Sequence, residues 1–197
     1  MEGRPIYVRE VGAPGGRTVL VVGCIHGSEP AGIAVAQALE RTTAPPGVDL
    51  WVVEILNPDG RDAHARGNER GVDLNRNFPF AWRHTAPGPF FSGPHPLSEP
   101  EARAAYRLIR RIKPVVSIWF HQSLTAVDDS EGSRALEARF ARLVRLPLER
   151  LPDYRGSVAS WENHAFRGST AFVVELPAGY LSRAQAQLYA RAIRAVA

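Results

Sequence analysis

"TVLVVGCIHGSEP", residues 18–30, runs from an almost unbroken apolar stretch straight into a histidine and a carboxylate three residues apart. A Val-, Leu- and Ile-rich run of this kind reads as a strand covered on both faces, as in parallel or mixed sheets sandwiched between helices. His26 then stands at the carboxyl end of the strand and Glu29 opens the helical pattern "EPAGIAVAQALER" (29–41). In open α/β sheets, ligands bind where strands end and loops begin. Two readings are open for the stretch alone. It is an ordinary turn with an acid in the first helical turn, favoured by the helix dipole, or it holds two ligands of a metal ion.

The same alternation continues outward. Further strand-like runs are "PIYVRE" (5–10), "VDLWVVEIL" (48–56), "VVSIWF" (115–120) and "TAFVVEL" (170–176). Helical patterns fill 98–113, 133–146 and 182–197, the last two amphipathic with arginines on the wet face. The helix at 98–113 opens with Ser98 three residues before Glu101 and Pro100 in its first turn, a capping-box pattern. Strands alternating with helices predict an α/β fold: one domain, 1–197, with a mixed, mostly parallel sheet and helices on both faces. Between 57 and 97 the periodicity stops in a span rich in Asn, Gly, Pro, His and Arg. A structureless span of that length inside a compact domain is usually functional.

At 197 residues and 45% hydrophobic content the chain can bury one core. No repeat is present, and no uncharged apolar run is long enough for a membrane span. "MEGRPIYVRE" is charged and has no apolar h-region, so no signal peptide is expected. The chain ends inside the helical pattern "RAIRAVA", which leaves room for further residues. The single cysteine, Cys24, sits in an apolar strand and reads as a small buried hydrophobe. A cytoplasmic protein is the expectation. The net charge is +4 and the pI about 9.7, but basic residues are interleaved with Asp and Glu, and Lys113 is the one lysine. No nucleic-acid or membrane partner is expected from such a spread.

A metal reading of His26 and Glu29 needs a third ligand at another strand end, and His121, directly after "VVSIWF", supplies it. Two histidines and a glutamate with an open fourth position form a catalytic zinc set. Zinc brings the pKa of bound water to about 7 and polarises a carbonyl. Each histidine taken alone reads as a hydrogen-bonded strand-end residue. Glu175 interrupts "TAFVVELP" beside Val173, Val174 and Leu176, where a carboxylate needs a partner or a raised pKa, or has simply reached solvent. A carboxylate of that kind near a metal suits a general base. In the long loop, Arg76 lies between Asn75 and Asn77, a fork flanked by amides that suits a substrate carboxylate. Arg66 could stabilise an oxyanion, although Arg66 and Arg70 on spacing alone read as solvated. Gly60, Gly67 and Gly71 read as backbone punctuation, His64, His84, His95 and His164 as loop or surface residues, and Trp119 and Trp161 as packing residues.

"HGSE", "NPDG", "RGNERGVDLNRNFP", "SGPHPLSEPEA", "FH" and "FVVELP" follow one another from residue 26 to 177. In that order they resemble zinc carboxypeptidases of the carboxypeptidase A family, and most of all its short bacterial members of the murein peptide amidase type. The resemblance implies one zinc ion held by His26, Glu29 and His121, and a substrate carboxylate held by Asn75 and Arg76. It implies Arg66 at the scissile carbonyl and oxyanion, and Glu175 as general base and then acid. It also implies a loop tyrosine closing over the substrate, for which Tyr154 is the candidate, nearer to the following "GS" than the family pattern has it. The span from His121 to Tyr154 is short for the family, which predicts a reduced or more open side-chain pocket.

The implied activity is hydrolysis of an amide bond next to a free carboxylate, with γ-D-glutamyl-meso-diaminopimelate in murein peptides as the named substrate. The partner is thus a peptide or amino-acid amide with a free carboxylate. A zinc deacylase of the succinylglutamate desuccinylase or aspartoacylase type shares the H-x-x-E…H ligands, and "NPDG" with "GVDLNRNFP" favours the peptidase. A non-catalytic module that binds carboxylate-ended peptides is the reading outside enzymes.

Overall fold

The structure, a computed structural model, describes residues 3–152 and 155–197. Its strands are β1 (Arg9–Gly12), β2 (Arg17–Val22), β3 (Val48–Val53), β4 (Val116–Gln122), β5 (Ala126–Asp128), β6 (Leu148–Glu149) and β7 (Thr170–Leu176). They form one sheet in the order β1-β3-β2-β4-β7-β5-β6. The centre is parallel, β3 to β2 to β4 to β7, while β1 on β3 and β5 on β7 are antiparallel. The helices are α1 (Ala31–Glu40), α2 (Pro58–Asp62), α3 (Pro100–Ile112), α4 (Arg134–Val144), α5 (Val158–Ala165) and α6 (Arg183–Val196), with a 3₁₀ turn at Leu74–Arg76. The expected α/β sheet with helices on both faces is what the chain forms.

Because side chains alternate along a strand, the central strands divide their residues between two cores. Val19, Val21, Val116, Ile118, Phe120, Phe172 and Val174 face one layer, built from α1, α4 and α6. Leu20, Val22 and Trp119 face the other, where Ala102, Ala105 and Ile109 of α3 and Trp161 of α5 pack. That second layer also takes Leu56, Leu74 and Phe78 from the segment around and within the span 57–97. The aperiodic span therefore occupies a place that a helix would otherwise fill.

Several elements differ from their sequence patterns. β1 lies at 9–12 and not at 5–10, because its ladder with β3 starts only at Arg9 opposite Val52; Tyr7 is 73% exposed. β2 and β3 end at Val22 and Val53, where their shared ladder ends, although Cys24 and Ile25 stay buried. α1 begins at Ala31 with Pro30 as its cap, so Glu29 sits in the turn before the helix. The Ser98–Glu101 capping box does not form. Glu99 is the N-cap residue of α3, and the Ser98 hydroxyl donates to Glu99 Oε1 at 2.7 Å. A full capping box stands instead at Ser182 and Gln185 of α6. α5, β5 and β6 had no legible signal: each is short, and the neighbours it packs on are remote in sequence.

Candidate active site and metal centre

The turn "HGSE" leaves β2 tightly folded, with Glu29 N–H donating to His26 C=O at 3.0 Å. Gly27 is required here for space, since a Cβ would collide with the backbone of Gly60 in α2. His121 and Glu175 come from adjacent parallel strands and are partners in the β4–β7 register, so both project to the layer that contains the long span.

His26 Nδ1 lies 3.0 Å from Glu29 Oε2, His121 Nδ1 lies 3.1 Å from the same oxygen, and the two Nδ1 atoms are 3.1 Å apart. His26 Nε2 lies 2.8 Å from Asp73 Oδ1. A carboxylate can only accept, so that nitrogen carries the proton and Nδ1 offers a lone pair. His121 Nε2 is buried with no hydrogen-bond partner among the described residues, so no protein group holds its ring in the other tautomer. Three lone-pair donors thus face one another across a nearly equilateral triangle. Ligands about 2.0–2.1 Å from a tetrahedral zinc are roughly 3.3 Å apart, close to the separations seen. Two imidazoles and a carboxylate, with Asp73 orienting one ring from behind, are the donor set and outer support of a zinc site. The residues fit the ion, and they form the one His/Cys/Asp/Glu group of metal-binding geometry among the described residues.

The electrostatics of the three ligands differ. Burial opposes ionisation of Glu29, but the His121 and His26 rings beside it outweigh that opposition and hold the carboxyl far below the usual carboxylate range. Asp73 is likewise buried and likewise held low, by His26, Arg66 and Arg76. Burial pushes the His121 pKa down, which favours the neutral ring a metal needs. For His26, burial is overcome by the charge and hydrogen bond of Asp73, and the pKa is raised.

Asp73 is the residue that sequence reasoning missed. Its two oxygens bind His26 Nε2, Asn75 N–H and Arg66 Nε at 2.8, 2.9 and 3.0 Å, which makes it the hub of the site. The available signal was its place in "GVDLNRNFP", two residues before Asn75. Gln122, beside His121, was also overlooked. Its N–H donates to Glu29 Oε2, its Oε1 accepts from Ala31 N–H, and its Nε2 donates to the carbonyls of Pro177 and Gly179. One side chain thereby ties the end of β4 to α1 and to the loop after β7.

Arg66 donates Nη1 to Glu29 Oε1 at 2.6 Å and Nε to Asp73, and its Nη2 is uncommitted among the described residues. Asn75 and Arg76 are buried at the 3₁₀ turn; Asn75 Oδ1 accepts from Val158 N–H at the start of α5, and Arg76 Nη1 donates to Asn75 C=O at 2.8 Å. Glu175 Oε2 accepts from Leu124 N–H at 3.3 Å. Arg66, Asn75, Arg76, His121 and Glu175 all line one cleft of about 290 Å³. Tyr154 lies outside the described residues. Trp119 and Trp161 are packing residues and His64, His84, His95 and His164 are exposed, as their contexts imply. Asp128, Glu131 and Arg150 also line the cleft.

The sequence model of the zinc carboxypeptidase family matches residues 1–127. Murein peptide amidase A of Escherichia coli (strain K12) is 34% identical over 157 residues, covering 72% of this chain. The chain spans 64% of that relative's length. The crystal structure of a murein-tripeptide amidase from Escherichia coli O157 superposes with a TM-score of 0.74 at 28% identity, covering 94% of this chain and 82% of that one. Carboxypeptidase A from Helicoverpa armigera shares the fold, with a TM-score of 0.80 at 17% identity over 98% of this chain and 66% of that one.

Proposed function

The chain belongs to the zinc carboxypeptidase family, and from that premise we propose that it is a zinc-dependent carboxypeptidase or amidase. In this reading it hydrolyses an amide bond next to a free carboxylate, in murein peptides the bond between the γ-carboxyl of D-glutamate and meso-diaminopimelate. The observation that carries the reading is that His121 of the His26–Glu29–His121 triangle lines one cleft with Arg66, Asn75, Arg76 and Glu175, and that Arg66 also binds Glu29. The likeness to murein peptide amidase A supports the choice of substrate.

His26 Nδ1, Glu29 Oε2 and His121 Nδ1 hold one zinc ion in this proposal. When bound, it supplies a Lewis acid that polarises the carbonyl and acidifies water. Arg76, with the Asn75 amide, grips the substrate carboxylate, and this sets which amide bond reaches the catalytic groups. Arg66 Nη2 donates to the carbonyl oxygen as negative charge develops on it. Its other nitrogens are fixed by Glu29 and Asp73, so little reorganisation is needed. Glu175 takes a proton from the attacking water and delivers it to the departing amine. Tyr154 as a residue closing over the substrate, and a cytoplasmic location, belong to the same proposal; among the described residues no helix is long and apolar enough to cross a membrane.

The test is release of meso-diaminopimelate from L-Ala-γ-D-Glu-meso-diaminopimelate by the zinc-loaded protein, beside Glu175→Gln. Wild-type release is expected, with turnover of the variant lower by roughly 10²- to 10⁴-fold and its zinc content unchanged. No release by a stoichiometrically loaded wild type would overturn the substrate. Hydrolysis of N-acyl amino acids instead would move the protein to the deacylase class.

A further inference from the structure

We propose that Phe90 is a positioning residue of the cleft, its ring serving as one platform for the guanidinium groups of both Arg66 and Arg76. The Arg66 Cζ lies 5.2 Å and the Arg76 Cζ 5.5 Å from the ring centroid, and Phe90 lines the same cleft as both. The inference rests on the reading in which these two arginines meet the substrate.

Two guanidinium groups of like charge converge here and repel each other. An aromatic face carries negative quadrupolar density and attracts a cation within about 6 Å of its centroid, so a single ring can satisfy both. Hydrogen bonding leaves that role open. Nε and Nη1 of Arg66 are spent in the plane of the fork on Asp73 and Glu29, which fixes two edges of the group but not its face. A flat ring is the kind of partner that controls a face.

Phe90 is 54% exposed, yet its backbone is firmly tied. The Thr85 hydroxyl donates to Phe90 C=O at 2.7 Å and accepts from Ser92 N–H at 2.8 Å, and Thr85 N–H donates to Ser92 Oγ at 3.0 Å. Phe91 N–H donates to Gly88 C=O, and Phe91 C=O accepts at 2.7 Å from the N–H of Asp73, the hub of the site. A loop anchored on Asp73 therefore carries the ring to two arginines that Asp73 helps to hold. A lone exposed aromatic is common on a protein surface; one pinned beside two cleft cations at a metal centre is a placed group. Its consequence is to fix the spacing between the cation at the scissile carbonyl and the cation at the terminal carboxylate.

The test uses the full zinc-loaded chain with Phe90→Ala, Phe90→Leu and Phe90→Trp, in two measurements. In kinetics on the murein tripeptide, the Ala and Leu variants are expected to raise KM and lower kcat, with kcat/KM down about 5- to 30-fold, the size of two such contacts. Trp should restore most of it. Leu keeps the apolar bulk, so a Leu variant equal to wild type would overturn the platform. Independently of turnover, ring-current shifts on the Nε–H resonances of Arg66 and Arg76 should be present in wild type and the Trp variant and absent with Leu. If either resonance is unmoved, the shared platform is wrong whatever the kinetics. If both move while wild type cleaves no substrate, the platform stands and the proposed activity falls.

Discussion

The two faces of the sheet are covered by different means. On one, α1, α4 and α6 lay regular apolar stripes over Val19, Val21, Ile118, Phe120, Phe172 and Val174. On the other, α3 and α5 share the work with the span 57–97, which buries Leu74 and Phe78 without helical periodicity. In the helical layer, backbone groups away from the caps are satisfied within each element. In the irregular layer, side-chain amides share that work with scattered backbone bonds such as Asp73 N–H to Phe91 C=O. Asn77 Nδ2 donates to Ser92 C=O, His95 C=O and Ser98 Oγ while its Oδ1 accepts from Glu99 N–H. Asn68 Oδ1 accepts from the N–H groups of Arg70 and Val72. An irregular layer can aim side chains in directions a helix cannot, and His121, Glu175, Arg66, Asn75 and Arg76 project to or from that face, while Glu29 comes from the turn before α1. Both faces bury a core, and the irregular one also carries most of the cleft.

That division can be broken by experiment. The largest effect belongs to the helical face. Phe140 is fully buried, with its ring 5.4 Å from that of Phe172. Phe140→Ala should cost about 3–5 kcal/mol in denaturant unfolding while the folded protein keeps its zinc affinity; a parallel loss of zinc would show that the faces are not separable.

Next is a pH dependence on the other face. Glu162 of α5 is buried, accepting from Ser117 Oγ at 2.6 Å and Trp119 Nε1 at 2.8 Å, and burial lifts its pKa to about 7. The folded value lies above the ordinary 4.5, so the folded state holds the proton more tightly. The stabilisation is complete below about pH 4.5 and is lost as pH rises through about 7. Glu162→Gln should remove on the order of 2–3 kcal/mol of that slope, read from urea unfolding between pH 5 and 8. Burial also lifts Glu137 of α4 to about 7, and the His26 and His121 pKa values are shifted too, so these groups contribute to any residual slope. A slope unchanged in the Gln variant would mean that Glu162 ionises freely in the fold.

The smallest of the three is the most specific to the site face. Asp73→Ala removes the acceptor of His26 Nε2–H and should weaken zinc binding about 10- to 100-fold, measured by chelator competition. Unchanged zinc affinity would remove Asp73 from the metal centre and leave it as the cap of the 3₁₀ turn and the partner of Arg66.

Much of the site is legible in the sequence. The alternation "VVSIWFH" puts His121 on the face of Ser117 and Trp119, and "TAFVVE" puts Glu175 on that of Ala171 and Val173. Parity along a strand is a local property, so the sequence is enough to state it. The short strands β5 and β6 were not legible, because two or three residues become a strand only when a partner presents its ladder. α5 was missed for a similar reason: Ser157 caps it, but its eight residues carry too little periodicity to stand apart from a loop. The capping box read at Ser98 failed because Ser98 Oγ is taken up by Glu99 Oε1 and Asn77 Nδ2, a competition set by a loop 21 residues earlier.

Hydrophobic period and chain order settle the fold class, the strands on or after which His26, His121 and Glu175 stand, and the loop that carries Arg66, Asn75 and Arg76. All of these are written in neighbouring residues. Packing in three dimensions settles which ring nitrogens face the shared centre, that Asp73 holds both His26 and Arg66, and that Phe90 stands against two arginines. Those are matters of a few ångströms between groups far apart in the chain. They are fixed by how the irregular layer packs, and no local pattern encodes them.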